Sequence, residues 1–262
     1  MDSITFVTYS HSDYADILPI VQQGIQCVKV PEMEKVFASD LALTQKDGYD
    51  RCIQYTDSLT YPQKICEILK SIQTEYVVLV HDIDYVEKFD TGLFQIVRGM
   101  LKRLSMDRLS FGMVPPQDTI IEEGPIRITN SNKEGITPNF CTPYDISPSI
   151  WRTECLRDAM SIVLNHTYRT IEQSEIQTYL SNKNVYAFTT SPSYHSVYQI
   201  GRPFSSVFTF IHLLTRGMWL HSRYFMDCET MYKYLLAQFT IDCSVRGILE
   251  TPHLDYVCNR VV

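Results

Sequence analysis

The chain has 262 residues, 45% of them hydrophobic and 12% aromatic, enough apolar mass to bury a core without disulfide staples. Its formal charge of -7 excludes a nucleic-acid protein that grips the backbone through a basic stripe, so an anionic substrate must be held locally, by a metal or by backbone amides. The eight cysteines include no C-x-x-C pair, which argues against a zinc site and for reduced thiols in a cytosol, and Met1-Asp2-Ser3-Ile4 lacks the features of a secretory signal.

Ile4 to Thr8 predicts a first strand, ending in the polar turn Tyr9-Ser10-His11-Ser12-Asp13 ahead of a helix over Tyr14 to Gln23. Cys27 to Val30 predicts a second short strand and Arg51 to Tyr55 a third. Asp57 to Pro62 opens a helix with proline in its first turn, and Ile65, Cys66, Ile68, Leu69 and Ile72 form its apolar face. That helix leads into Tyr76-Val77-Val78-Leu79-Val80, an apolar run of the kind buried on both faces of a parallel sheet, followed at once by His81-Asp82-Ile83-Asp84. Leu93 to Leu104 has helical spacing, and Leu109 to Val114 is a strand stopped by Pro115-Pro116. Gln117 to Pro143, rich in Gly, Pro, Asn, Thr and charge, predicts a loop or hairpin with a functional role.

Ser147-Pro148 predicts a helix start, with Ile150, Trp151, Cys155, Leu156, Ala159, Met160 and Val163 turned inward. Thr170-Ile171-Glu172-Gln173 has a capping-box pattern and predicts a helix through Tyr179-Leu180. Val185 to Thr189 is a strand, followed by polar turns that hold His195 and Arg202. Phe204 to Leu220, interrupted by polar residues, reads as a core helix rather than a membrane span, with peripheral membrane contact as the lesser reading. The alternation of strands and helices, without repeat or linker, predicts one α/β domain with a mostly parallel central sheet flanked by helices and a helical C-terminal third.

Asp82 and Asp84 follow a buried strand, at the end where open α/β sheets place ligands. In an extended chain, residues two apart point the same way, so the two carboxylates are expected to converge on a hard cation such as Mg²⁺ or Mn²⁺. With a first strand ending Val7-Thr8-Tyr9, this D-x-D after a central strand, an acidic helix start at Glu172 to Glu175 and a late His195, the chain resembles the GT-A family of nucleotide-sugar glycosyltransferases. The sharp match is the D-x-D.

The resemblance implies a Rossmann-type fold over 1–262, with 1–115 binding the nucleotide-sugar and 116–262 the acceptor. It implies Asp84 as the main metal ligand, Asp82 on the ribose or on the metal through water, His195 as third ligand and Arg202 on the diphosphate. Thr8, Tyr9 and Ser10 would grip the nucleotide, with Lys64 reaching a phosphate. Glu172 or Glu175 would deprotonate an acceptor hydroxyl, which favours inversion, and Tyr144 and Trp151 would form an acceptor platform, although Trp151 also falls in phase with a core face. The implied donor is a UDP-sugar, the acceptor a glycan or other hydroxyl compound, and part of Gln117 to Pro143 a lid that orders on donor binding.

The same residues also match a haloacid-dehalogenase-like phosphatase, with Asp82 as nucleophile. That family normally opens with this strand, whereas several elements precede it here. The His81-Asp82 pair of an HD phosphohydrolase would sit on a helix and is rejected. A non-catalytic domain that binds a nucleotide or glycan is the remaining alternative.

Overall fold

The computed structural model describes residues 3–42, 47–114, 120–130, 143–189, 207–215, 217–220 and 235–249. Strands β1 (Ile4–Tyr9), β2 (Glu34–Ser39), β3 (Arg51–Gln54) and β4 (Tyr76–His81) lie in the order β3-β2-β1-β4, and every pairing is parallel. Beyond β4, strand β9 (Ser149–Arg152) inserts antiparallel against β6 (Arg108–Val114), which pairs in parallel with β10 (Val185–Thr189). A hairpin, β7 (Ile120–Glu123) and β8 (Ile126–Asn130), completes the edge, its turn taken by Gly124 at φ +57°. Among the described residues the central sheet has nine strands, and only β8 and β9 run against the others, so the expected mostly parallel α/β architecture holds.

Helices cover both faces because the central strands are apolar on both. Ile4 and Phe6 of β1 and Tyr76, Val78 and Val80 of β4 face α1 (Leu18–Ile25) and α3 (Thr91–Arg103) in one core. Val7, Val77 and Leu79 face the opposite core, built by α2 (Tyr61–Leu69), α4 (Thr153–Ile162) and α5 (Ile176–Ser181). Local chemistry sets the helix ends. The Asp90 side chain caps α3 by accepting from the Leu93 N–H at 3.0 Å, and Lys102 and Arg103 complement the dipole of its last turn. At the start of α2, Pro62 stands in the first turn and the Gln63 side chain accepts from the Thr60 N–H at 3.1 Å.

After β4 the chain turns at Asp82-Ile83 and leaves the sheet as β5 (Asp84–Phe89), which pairs antiparallel with β11 (Phe208–His212). Strands β12 (Leu214–Thr215), β13 (Met218–Leu220) and β14 (Ile248–Leu249) form a further small sheet, preceded at β14 by the short helix α6 (Cys243–Arg246). A third core of Ile17, Ile20, Tyr85, Leu213, Leu214, Trp219 and Leu235 joins these pieces to the β1–α1 connection.

Several expectations are corrected. The second strand is Glu34–Ser39, not Cys27 to Val30, whose Val28 and Val30 pack into the core from a connecting segment. The first helix is split into a 3-10 turn (Ser12–Tyr14) and α1. Ser147-Pro148 does not start a helix: Ser149–Arg152 is a sheet strand, and α4 begins at Thr153. The capping box at Thr170 is absent, because Thr170 makes no side-chain cap and the segment is a 3-10 turn (Ile171–Gln173) followed by α5. In place of a core helix over Phe204 to Leu220 and a helical C-terminal third, the described residues there carry β11 to β14 and short helical pieces. No helix among the described residues is long and apolar enough to cross a membrane. Of the segment Gln117 to Pro143, the structure describes 120–130 and Pro143, and the former is the edge hairpin.

Candidate active site

The order β3-β2-β1-β4 places the site. From β1 the chain crosses over α1 to β2 and β3 on one side, then returns over α2 to β4 on the other, so the C-terminal ends of β1 and β4 flank a topological switch point, where open α/β sheets bind ligands. Tyr9 and His81 are paired in register there. The Asp82 N–H continues the ladder to the Tyr9 carbonyl at 2.9 Å, and the His11 N–H donates to Asp82 Oδ2 at 3.1 Å.

Asp82 and Asp84 are buried at this point, 4% and 3% exposed. The expectation of two residues on one extended strand is corrected: the chain turns at Asp82-Ile83, between the β4 strand and Asp84. Burial pushes the Asp82 carboxyl up to about 7, and Asp84 adds to the rise while the His11 N–H offsets it. The buried Ser10 hydroxyl beside it offsets more of the rise than the His11 N–H does. Asp82, whose ionisation the fold resists, and the buried Asp84 and Ser10 near it supply oxygen atoms only, the donor chemistry that suits a hard divalent cation. The backbone of His212 pairs with that of Asp84. His195 and Arg202 lie outside the described residues.

An aromatic cluster lines the edge. Tyr9 stacks on Tyr55 at 5.4 Å between ring centroids and meets Tyr61 and His81 edge-on. The Tyr55 hydroxyl donates to the Ser10 carbonyl, and Tyr61 and His81 share a hydrogen bond of 3.0 Å. Burial pushes the Tyr9 phenol up to about 12, with Asp82 and Asp40 adding to it, so it stays protonated as a donor. Tyr168 meets Tyr61 and His81 edge-on while 38% of it remains exposed. Its phenol is raised by lost hydration first, with Asp84, Tyr144, Glu172 and Asp82 adding to the rise.

The other expected residues are dispersed. Thr8 is buried, and its hydroxyl accepts from Tyr49 at 2.8 Å, so it belongs to the wall of the fold and not to the open edge. Lys64 is buried on α2 and donates to Asp57 at 2.8 Å, over the Tyr55 ring. Glu172 accepts from the Ile146 N–H at 2.9 Å. Glu175 is exposed and pairs with His166 at 3.2 Å, away from that clasp. Tyr144 and Trp151 are each 2% exposed and packed under Arg108, so neither presents a ring to an acceptor, a correction forced by β9 being a sheet strand.

Three residues that the sequence reading passed over meet at the same edge. His11 Nε2 lies 2.8 Å from Asp57 Oδ1 and 4.0 Å from Asp40 Oδ2, and the Asp40 side chain accepts from the Ser12 N–H at 2.8 Å. Burial raises the Asp40 carboxyl, but Ser12 and His11 more than offset it and hold it low. These residues follow β1, β2 and β3, and no local sequence pattern could have joined them.

No family model and no curated relative matches the sequence. Among solved structures, S. aureus TarS 1–349 aligns with 72% of this chain and 58% of its own length, at 16% identity and a TM-score of 0.46. The same protein in complex with UDP-GlcNAc aligns with 74% of this chain and 60% of its own, at 18% identity and a TM-score of 0.42. CMP:2-keto-3-deoxy-manno-octonic acid synthetase complexed with CTP aligns with 71% and 88%, at 13% identity and a TM-score of 0.42. This chain therefore spans less than two thirds of the TarS chains. Likenesses at this level assign neither a family nor an activity.

Proposed function

We propose that the protein is a metal-dependent glycosyltransferase that moves a sugar from a nucleoside diphosphate donor, UDP by preference, to an acceptor hydroxyl with inversion. The observation that carries this reading is the pair of buried carboxylates, Asp82 and Asp84, at the switch point between β1 and β4. They would hold Mn²⁺ or Mg²⁺, with His195 as a further ligand, and the bound metal would neutralise charge on the diphosphate leaving group. The Ser10 hydroxyl would offer a hydrogen bond to the donor beside it.

Deprotonation of the acceptor hydroxyl is assigned to Glu172. It is partly buried and held by the Ile146 N–H, whereas Glu175 faces solvent and His166. Tyr168 replaces Tyr144 and Trp151 as the exposed ring on the acceptor side. The phosphatase alternative is disfavoured by chain order, since β1 to β3 precede the strand that leads into Asp82.

Calorimetric titration of a panel of nucleoside diphosphates, with Mn²⁺ and then with excess chelator, tests the reading. One nucleotide should bind only with metal, and Asp84→Ala should abolish that binding. Failure of every nucleotide to bind would remove the proposal. Binding without sugar transfer from any donor would leave a nucleotide-binding domain in its place.

A further inference from the structure

Arg108, the first residue of β6, is 1% exposed, and a buried guanidinium is costly unless its charge and its donors are met. The segment that leads into β9 meets its charge and both terminal nitrogens, while Nε has no partner among the described residues. Nη1 donates to the Pro143 carbonyl at 2.6 Å, and Nη2 donates to the Asp145 carbonyl at 3.0 Å, to Asp145 Oδ1 at 2.8 Å and to Ser149 Oγ at 2.9 Å. The guanidinium carbon also lies over the rings of Tyr144 at 5.6 Å and Trp151 at 4.9 Å. One side chain thus fixes the backbone on both sides of Tyr144.

The same short segment holds Glu172. The Ile146 N–H donates to Glu172 Oε1 at 2.9 Å. Gln177 closes the clasp from α5: its Oε1 accepts from the Tyr144 N–H at 2.9 Å, and its Nε2 donates to the Tyr144 and Glu172 carbonyls, each at 2.7 Å. The chain of contacts runs from Arg108 through 143–146 to Glu172, without a gap.

We propose that Arg108 is the positioning residue for Glu172, setting its carboxylate through the 143–146 segment. The inference rests on the glycosyltransferase reading, in which Glu172 takes the acceptor proton. Lysine keeps the charge but cannot reproduce the planar fork that spans two carbonyls and a carboxylate, so Arg108→Lys should loosen the segment while leaving the core apolar contacts in place. Misplacing a catalytic group by about an ångström costs on the order of 100-fold in turnover, so kcat should fall by about 10- to 100-fold. Donor affinity, set at the far side of the site, should change by less than about twofold.

The test combines amide hydrogen exchange with UDP release from UDP-sugars in the presence of Mn²⁺. In Arg108→Lys the Tyr144 and Ile146 amides should exchange faster than in the wild type, and kcat should fall without a matching change in donor binding. Gln177→Leu, which leaves Arg108 intact and cuts the clasp from α5, should give the same split even if the Arg108 variant folds poorly. Unchanged exchange at both amides in a folded variant, or equal losses of donor binding and turnover in both variants, would overturn the role of Arg108. Absence of UDP release from every donor by the wild type would instead overturn the function on which the inference rests.

Discussion

Asp82 carries the clearest pH signature in the molecule. Its carboxyl is raised from 3.8 in the ordinary state to about 7 in the fold, chiefly by burial. Without metal, the folded protein therefore holds a proton that the unfolded chain has already lost between about pH 4 and pH 7. The contribution is fully present below that window and is lost as the pH rises through it, by up to about 4 kcal/mol at pH 8. Asp82→Asn removes the ionisation, so in chelator its stability relative to the wild type should increase from pH 5 to pH 8, as read by urea unfolding. Mn²⁺ should reverse the order at pH 8, because only the wild type has a charged ligand to gain from it. A difference independent of pH would mean that Asp82 ionises freely in the fold. The D-x-D was legible because an apolar run and two acids are neighbours in sequence. His11, Asp40, Asp57 and Tyr168 were not, since each reaches the site from a different strand end or loop and is an ordinary polar residue until the sheet order is known.

Among the elements, the most demanding contact is that of α1 against β5, the strand that opens with Asp84. A methyl group at Gly24 would lie 2.9 Å from the backbone N and O of Val86 and from the Tyr85 ring, so the helix approaches to a distance that only glycine permits. Gly24→Ala should destabilise the protein by about 1–3 kcal/mol through overpacking. Gly99→Ala, on the exposed side of α3 with open space around it, should stabilise by about 0.5–1 kcal/mol by removing glycine's backbone freedom. The two variants share one chemical change, and a Gly24→Ala urea midpoint that rises as that of Gly99→Ala does would refute the close approach. The elements read correctly, β1, β3, α2, β4, α3, β6 and β10, have a helical period, a clear start signal or a short apolar run bounded by polar residues. The misread ones do not. Ser149, Ile150 and Trp151 are all buried because β9 is covered on both faces, and such a strand shows no alternation. Joined to the apolar positions of α4, those residues mimic a helical stripe. The aromatic run that became β11 has the same ambiguity.

At the scale of the whole molecule, stability should be uneven. Strands β1 and β4 are interior strands of the nine-stranded sheet, and every residue of β4 is buried. Strands β12 to β14 have two or three residues each and rest on the small third core. Elements with little buried apolar area open without the rest of the fold, so the Trp219 amide, bonded to the Gly247 carbonyl at 3.0 Å, should exchange far faster than those of Phe6 and Val78. The hierarchy gives a test of where a ligand acts. A nucleotide bound with Mn²⁺ at the switch point stabilises every state that keeps β1 and β4 together, at about 2.7 kcal/mol for ligand at 100 times its Kd. Exchange at Phe6 and Val78, which requires global unfolding, should slow accordingly, and so should exchange at the His11 and Asp82 amides that line the site. Exchange at Trp219 should not change, because an opening confined to β12–β14 leaves the switch point intact. Slowing at Trp219 equal to that at Val78 would place the ligand across the small sheet or show that both sheets open together, and the site between β1 and β4 would then lose its claim to the nucleotide.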